Sequence, residues 1–324
     1  MQAIVYRRYG PPSVLECGEI EKPAPGAGEV LVRVQAAAVN PYDWHFMRGT
    51  PTFIRVFSGL RGPKFPRLGA DAAGQVEAVG LGTERLKPGD NVFGVLKGAF
   101  AEYACGKESQ LALIPAGLSF AQAASVPIAG ITALQGLRDS GGVTAGQTVL
   151  INGAAGGVGT FAVQIAKVLG AAVTGVCSTR NLQMARDLGA DHVIDYTRQD
   201  FTRAPARYDV IFDLVGNHTL SSIRRALNPR GVFVGSGGGG PDESSGKLLA
   251  AMLGRAIQAP FTRQKLTGVM AKINTADLNM LAGMLASGAV KPVIDRSYPL
   301  RETAEAIRYV EKCHARGKVI IAVA

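Results

Sequence analysis

TVLINGAAGGVGTFAVQIAK, residues 148–167, decides how the rest of the chain is read. An apolar run (148–152) leads into a turn holding Gly153, Gly156, Gly157 and Gly159, and a helix-like run of small and apolar residues follows. A strand, a glycine turn and a helix in that order bring backbone amides to a helix start, where a pyrophosphate can approach only if side chains are out of the way. Such glycines can also serve only a tight turn and close helix-strand packing. Continuation into a second apolar strand, AAVTGV (171–176), completes a unit of about 30 residues and favours a dinucleotide.

The residues beyond that strand bear on which dinucleotide. In the NAD pattern a carboxylate about 20 residues past the glycines accepts hydrogen bonds from the ribose hydroxyls. Here the stretch reads Cys177, Ser178, Thr179, Arg180, with no acid until Asp187. A hydroxyl and a guanidinium donate charge-assisted bonds to a 2′-phosphate that an acid would repel. Ser178 and Arg180 are therefore expected to select NADPH. Ser178 or Thr179 capping the next helix, with Arg180 turned to water, is the alternative, and capping and phosphate binding can coexist.

Outward from this unit the chain changes character. Residues 1–117 carry short strand signals broken by Pro-Gly corners, which predicts mixed β structure. Ser119 opens a capped helical run, broken or bent near Pro127 and Gly130. Beyond it strands and helices alternate through GVFVGSG (231–237), as in a parallel sheet covered on both faces. GGGGPDESSG (237–246) reads as a link, KLLAAMLGRAIQ (247–258) as a helix with one apolar face, QKLTGVMAKI (264–273) as a last strand and ADLNMLAGMLASG (276–288) as a helix. The tail strand GKVIIAVA (317–324) has no nearby partner in sequence and is expected to return to the first domain.

Composition narrows the classes. An apolar fraction of 47% with 19% charged residues fits a soluble globular protein, and 324 residues supply core for two ordinary domains. The net charge of +10 admits a nucleic acid, an acidic surface or an anionic ligand. No nucleic-acid-binding motif is legible, so nucleic acid is not an expected partner. Cysteines at 17, 105, 177 and 313 form neither a disulfide framework nor a zinc ribbon. MQAIVYRRYG lacks the core of a signal peptide and no apolar run reaches ~18 residues, so no stable membrane insertion and a reducing, cytosolic location are expected.

The glycine loop, the missing acid, AAAVNPYDW (36–44), GADAAGQVEAVG (69–80), KPGDNVFG (87–94), PIAGITA (127–133), LGADHVIDY (188–196) and HARGKVII (314–321) together resemble the medium-chain dehydrogenase/reductase superfamily, in its zinc-free quinone oxidoreductase-like branch. The resemblance covers essentially the whole chain. It implies an α/β protein: a GroES-like β-rich substrate domain (1–118 plus 274–324) and a Rossmann doubly wound parallel-sheet domain (119–273). It also implies NADPH held by Ala155, Gly156, Gly157 and Val158, with Ser178 and Arg180 on the 2′-phosphate and Tyr196 beside the adenine. Thr132 and Asn40 map near the nicotinamide end, and Val215, Gly216, Gly235, Ser236 and Lys318 to cofactor-lining segments. A homo-oligomer, with a dimer favoured, is expected.

Zinc-dependent relatives of that superfamily carry ligands where this chain has Asn40 and Ala70-Asp71. Asp43, His45 and Asp71 are what remains, so no metal is expected. Without a Lewis acid an ordinary alcohol is a poor substrate, whereas hydride transfer to a quinone or an α,β-unsaturated carbonyl asks less of the protein. The expected activity is that reduction, with Tyr42 donating a proton or hydrogen bond and Asn40 orienting cofactor or acceptor. A non-catalytic NADPH-sensing or RNA-binding module and a zinc-dependent alcohol dehydrogenase are the competing readings. Residues 50–68, with Phe53, Phe57 and Phe65 among Arg55, Arg61, Lys64 and Arg67, have three readings: a lid or wall over the acceptor, a patch for an anionic membrane, or ordinary packing.

Overall fold

The computed structural model describes residues 1–236 and 263–323. The expected link and helix at 237–258 lie outside them. The chain divides into two compact units, residues 1–128 with 273–288 and 292–324, and residues 129–272 with 289–291.

In the first unit the strands are β1 (Gln2–Val5), β2 (Glu16–Glu19), β3 (Glu29–Val39), β4 (Asp71–Val79), β5 (Asn91–Val95), β6 (Tyr103–Lys107) and β7 (Leu111–Leu113). Helix α1 (Pro41–Arg48) leaves the end of β3, and a short turn of helix, α2 (Ile54–Ser58), follows. Valines of β3 alternate into a core shared with Trp44, Met47, Phe100 and Leu111. Gly74 lets β4 close on β3, since a Cβ there would stand 2.1 Å from the Arg33 carbonyl oxygen.

The capped run at Ser119 forms two helices, α3 (Phe120–Ala124) and α4 (Pro127–Gln135). Ser119 and Gln122 cap each other's backbone amides, which starts α3. Pro127 opens α4, where its missing N–H costs nothing, and Gly130 stays helical. Helix α3 packs on β3 and β4, so the first unit runs to residue 128 rather than to the expected 118.

The second unit contains β8 (Thr148–Asn152), helix α5 (Gly157–Val168), β9 (Ala172–Cys177), β10 (His192–Asp195), β11 (Tyr208–Asp213), β12 (Leu227–Gly235) and β13 (Lys265–Gly268). All pairings are parallel, in the order β10-β9-β8-β11-β12-β13. That is the doubly wound order 3-2-1-4-5-6, with its reversal between β8 and β11. Val149, Leu150 and Ile151 are wholly buried, as a central parallel strand requires.

The chain then returns to the first unit with β14 (Ile294–Pro299) and β15 (Lys318–Ala322). Strand β15 runs antiparallel to β3, Val319 opposite Val39 and Ala322 opposite Ala36, as the orphan tail strand anticipates. The larger sheet is ordered β14-β15-β3-β4-β5-β7, with β6 also on β3. No helix among the described residues is long and apolar enough to cross a membrane. Ser119→Ala is expected to lower the free energy of urea unfolding by about 1 kcal/mol through loss of the cap.

Candidate functional site

Within the second unit the glycine turn separates into three physical roles. Gly153 has φ +92°, a left-handed conformation that its amide bond to the Val176 carbonyl (3.1 Å) fixes. Gly159 lies against the turn, where a Cβ would stand 2.0 Å from the Gly153 carbonyl oxygen. Gly156 is different: it is the N-cap of α5, its φ of −80° suits any residue, and a Cβ would meet nothing nearer than the Gly153 oxygen at 3.5 Å. Turn geometry and packing therefore account for Gly153 and Gly159 but leave the bareness of Gly156 unexplained. A group approaching the first-turn amides of Gly157 and Val158 would explain it, since those amides have no partner within the helix and carry its positive pole.

Two residues that the motif leaves out organise the ends of the neighbouring strands. Asn152 closes β8 and its Nδ2 donates to Asp213 Oδ1 (2.8 Å) and Asn217 Oδ1 (3.0 Å). The amides of Val215 (3.1 Å) and Gly216 (3.0 Å) donate to the same Asp213 oxygen, and the Ser236 amide donates to the Asp213 carbonyl (2.9 Å). The loop carrying Val215 and Gly216 is thus held by the buried carboxylate of Asp213, and that carrying Gly235 and Ser236 by the Asp213 backbone carbonyl, at the reversal of strand order. The signal was present as a polar residue ending each apolar strand, TVLIN and YDVIFD.

At the end of β9, Ser178 precedes a 3-10 turn, Thr179–Asn181. Its Oγ accepts from Asn181 Nδ2 (3.1 Å) rather than from a backbone amide, while Arg180 is exposed. An acid does stand here, supplied by the neighbouring strand. Asp195, paired in register with Cys177, accepts from the Thr179 hydroxyl (2.5 Å) and from the Thr197 amide (3.0 Å) and hydroxyl (2.7 Å). The Thr179 bond leads in holding its carboxyl below the usual range. Tyr196 is exposed, its amide on the Cys177 carbonyl (3.1 Å). Thr132 lies nearly buried in α4.

The first unit holds a buried polar cluster. Asn40, one residue beyond β3, caps α1: its amide donates to Asp43 Oδ2 (2.8 Å). Asn40 Nδ2 donates to Asp71 Oδ2 (2.9 Å) and the Ala38 carbonyl (3.2 Å), and Asn40 Oδ1 accepts from Lys318 Nζ (2.6 Å). Lys318 Nζ also donates to the Val39 carbonyl (3.3 Å) and lies 3.5 Å from Asp71 Oδ2. Asp43 Oδ1 takes the Gly69 amide (3.1 Å), and Asp71 Oδ1 takes the Ile128 amide (3.0 Å). Burial drives the Asp43 carboxyl up to about 7, with Asp71 adding to the rise and the amides of Asn40 and Gly69 opposing it. Burial likewise raises Asp71 and lowers Lys318, each against the attraction of the other.

This geometry fixes the surroundings of two expected site residues. Lys318, mapped to a cofactor-lining segment, is 3% exposed, and its ammonium is engaged by Asn40, Val39 and Asp71. The Asn40 carboxamide is likewise committed at both ends, so it cannot turn to orient cofactor or acceptor without releasing Asp71 or Lys318. Tyr42, by contrast, is about half exposed on α1 with its ring against Phe46 (4.4 Å). Burial of part of the phenol raises its pKa, keeping the proton on oxygen at neutral pH.

Residues 26–116 match the family model of the alcohol dehydrogenase GroES-like domain, and residues 188–321 that of the zinc-binding dehydrogenase. The chain is 31% identical, over 99% of its length and 98% of the relative's, to the chloroplast envelope quinone oxidoreductase homolog of Arabidopsis thaliana. It is 36% identical to that plant's chloroplastic NADPH-dependent alkenal/one oxidoreductase, covering 99% of this chain and 79% of the relative. The chain belongs to the medium-chain dehydrogenase/reductase superfamily. It falls in the quinone oxidoreductase-like branch of that superfamily. The solved Escherichia coli quinone oxidoreductase complexed with NADPH superposes with a TM-score of 0.85 at 26% identity, over the whole of both chains.

A catalytic zinc, which the name of the second family model raises, does not fit these residues. Both carboxylates of the cluster are occupied by amides and by Asn40, and an ammonium already stands beside Asp71. His45 stacks on Trp44 and its Nδ1–H donates to the Thr50 carbonyl (2.7 Å). No group of three or more His, Cys, Asp and Glu side chains suited to a metal occurs among the described residues. The cluster's consequence is for stability. A carboxyl whose folded pKa lies above its unfolded value near 4 binds its proton more tightly when folded, so its contribution is full below pH 4 and is lost as pH rises towards 7. Wild type minus Asp43→Asn, by urea unfolding, is expected to show a negative slope over that window of up to about 1.4 kcal/mol per pH unit, and none above it.

Proposed function

We propose that the chain is an NADPH-dependent oxidoreductase that reduces quinones or α,β-unsaturated carbonyls without a metal. The observation carrying this reading is Gly156, a helix-capping glycine that neither backbone conformation nor packing requires. Membership of a branch whose relatives are named quinone and alkenal/one oxidoreductases supports the reaction class. Bound NADPH would supply the hydride; the protein would supply binding, orientation and charge.

The amides of Gly157 and Val158 would take the pyrophosphate at the positive end of α5. Arg180, with Ser178, would take the 2′-phosphate, and the exposed ring of Tyr196 would flank the adenine. The loops braced by Asn152 and Asp213, with Thr132, would line the remainder. Tyr42 would donate a hydrogen bond or proton to the oxygen of the reduced acceptor, its raised pKa keeping it a donor. Asn40 acts at one remove, by fixing α1 under Tyr42. The four cysteines, all free thiols, accord with work in a reducing cytosol.

Arg180→Ala is expected to weaken NADPH binding about tenfold to a hundredfold and to leave NADH unchanged, as fluorescence titration of each nucleotide would report. Equal losses for both nucleotides would remove the phosphate assignment. In steady-state assays Tyr42→Phe is expected to cut kcat for enals or enones by about a hundredfold, and for quinones by less, because their reduced form is the weaker base. Full activity on both classes would sink the role given to Tyr42. Prior dialysis against a chelator is expected to change neither rate.

A further inference from the structure

We infer that the 53–67 segment of the first unit, with the turn after β1, is a docking surface for an anionic lipid membrane. Four apolar side chains crowd this short stretch in the open: Phe53 is 54% exposed, Val56 62%, Phe57 78% and Leu60 74%. Their backbone is braced from the inner side. The Tyr9 hydroxyl bonds the Ser58 hydroxyl (2.7 Å) and the Gly59 carbonyl (2.7 Å), and the Lys64 amide bonds the Ser58 carbonyl (2.7 Å). Arg55 lies over the Tyr9 ring and donates to the Gly49 carbonyl (3.0 Å). The segment is built to hold apolar side chains outward, an arrangement that costs solubility unless something covers it.

Charge says what the cover is. Arg61 and Lys64 are exposed on the same segment. Exposed Arg7 and Arg8 join them, because the Tyr6 amide bonds the Pro66 carbonyl (3.0 Å) and Gly62 sits against the Arg7 carbonyl. Neither residues 1–15 nor residues 44–70 contain an acid. Apolar tips ringed by cations match a leaflet whose acyl boundary takes the first and whose headgroups pair with the second. An uncharged acceptor would leave the cations without counterparts. The inference stands apart from the dinucleotide reading.

Flotation of the full chain with vesicles of phosphatidylcholine alone, and of equimolar phosphatidylcholine and phosphatidylserine, tests it. Binding to the anionic vesicles, weakened by salt, is expected, with little on the neutral ones. Phe57→Ser with Leu60→Ser should lower the partition coefficient about tenfold or more at every salt concentration, and Arg61→Ser with Lys64→Ser should lower it chiefly at low salt. Unchanged circular dichroism and urea midpoints establish that both variants fold. The inference is overturned by absence of binding to anionic vesicles. It also fails if the apolar pair can be replaced without effect, which would mean adsorption to any polyanion, RNA included. A rise in KM for a soluble acceptor with lipid binding intact would make the segment an acceptor wall instead.

Discussion

The register of three strands around one buried lysine is the constraint on which the first unit depends. Strand β3 is central, and its last residues are flanked by the first residue of β4, Asp71, and the first of β15, Lys318. Asn40 sits between them and binds both, while its backbone amide holds Asp43 at the start of α1. A one-residue slip of either neighbouring strand would turn its charged residue to the opposite face and strand the other charges in the core. Removing one partner of a buried ion pair typically costs about 3–5 kcal/mol, because an uncompensated charge stays behind. The cluster therefore specifies register more than it adds stability, and it welds the C-terminal strand to the N-terminal sheet.

The second unit uses the same device with a different payload. Asn152 and Asp213 end adjacent parallel strands in register, and the carboxylate gathers amides from the loop beyond β11. A polar pair buried at the carboxyl ends of central strands is costly unless satisfied. Here it is satisfied by loop backbone, so the loops that border the glycine turn are fixed by the sheet rather than by a ligand. Pre-organised loops reduce the ordering cost of binding.

Much of this was legible in sequence because its causes are local. Apolar continuity marks β8, β9 and β11; glycine spacing marks the turn; Ser119 and Gln122 mark a helix start. The tail strand could be read from its lack of a neighbour. What resisted reading was set by tertiary register. Nothing local to Asn40 or Lys318 says that residues 278 apart share a hydrogen bond, and a family pattern alone does not show that each is engaged by the other. The first unit extends beyond the expected residue 118 for a related reason: α3 has ordinary helix-start chemistry, and only its packing on β3 and β4 assigns it.

Asp195 is the sharpest instance, and it changes how cofactor choice is to be understood. Counting along the chain finds no acid at the end of β9, yet the neighbouring strand delivers one to Thr179. A bare carboxylate there would oppose a 2′-phosphate and favour ribose hydroxyls. Asp195 is not bare: two hydroxyls and an amide point their donors at it, which disperses its charge. On the proposed assignment of the 2′-phosphate to Arg180, selection between the two nucleotides would rest on how far Thr179 and Thr197 mask Asp195 beside the exposed charge of Arg180. Discrimination at this strand end would then be a balance between two opposed charges, with the threonines setting the point of balance.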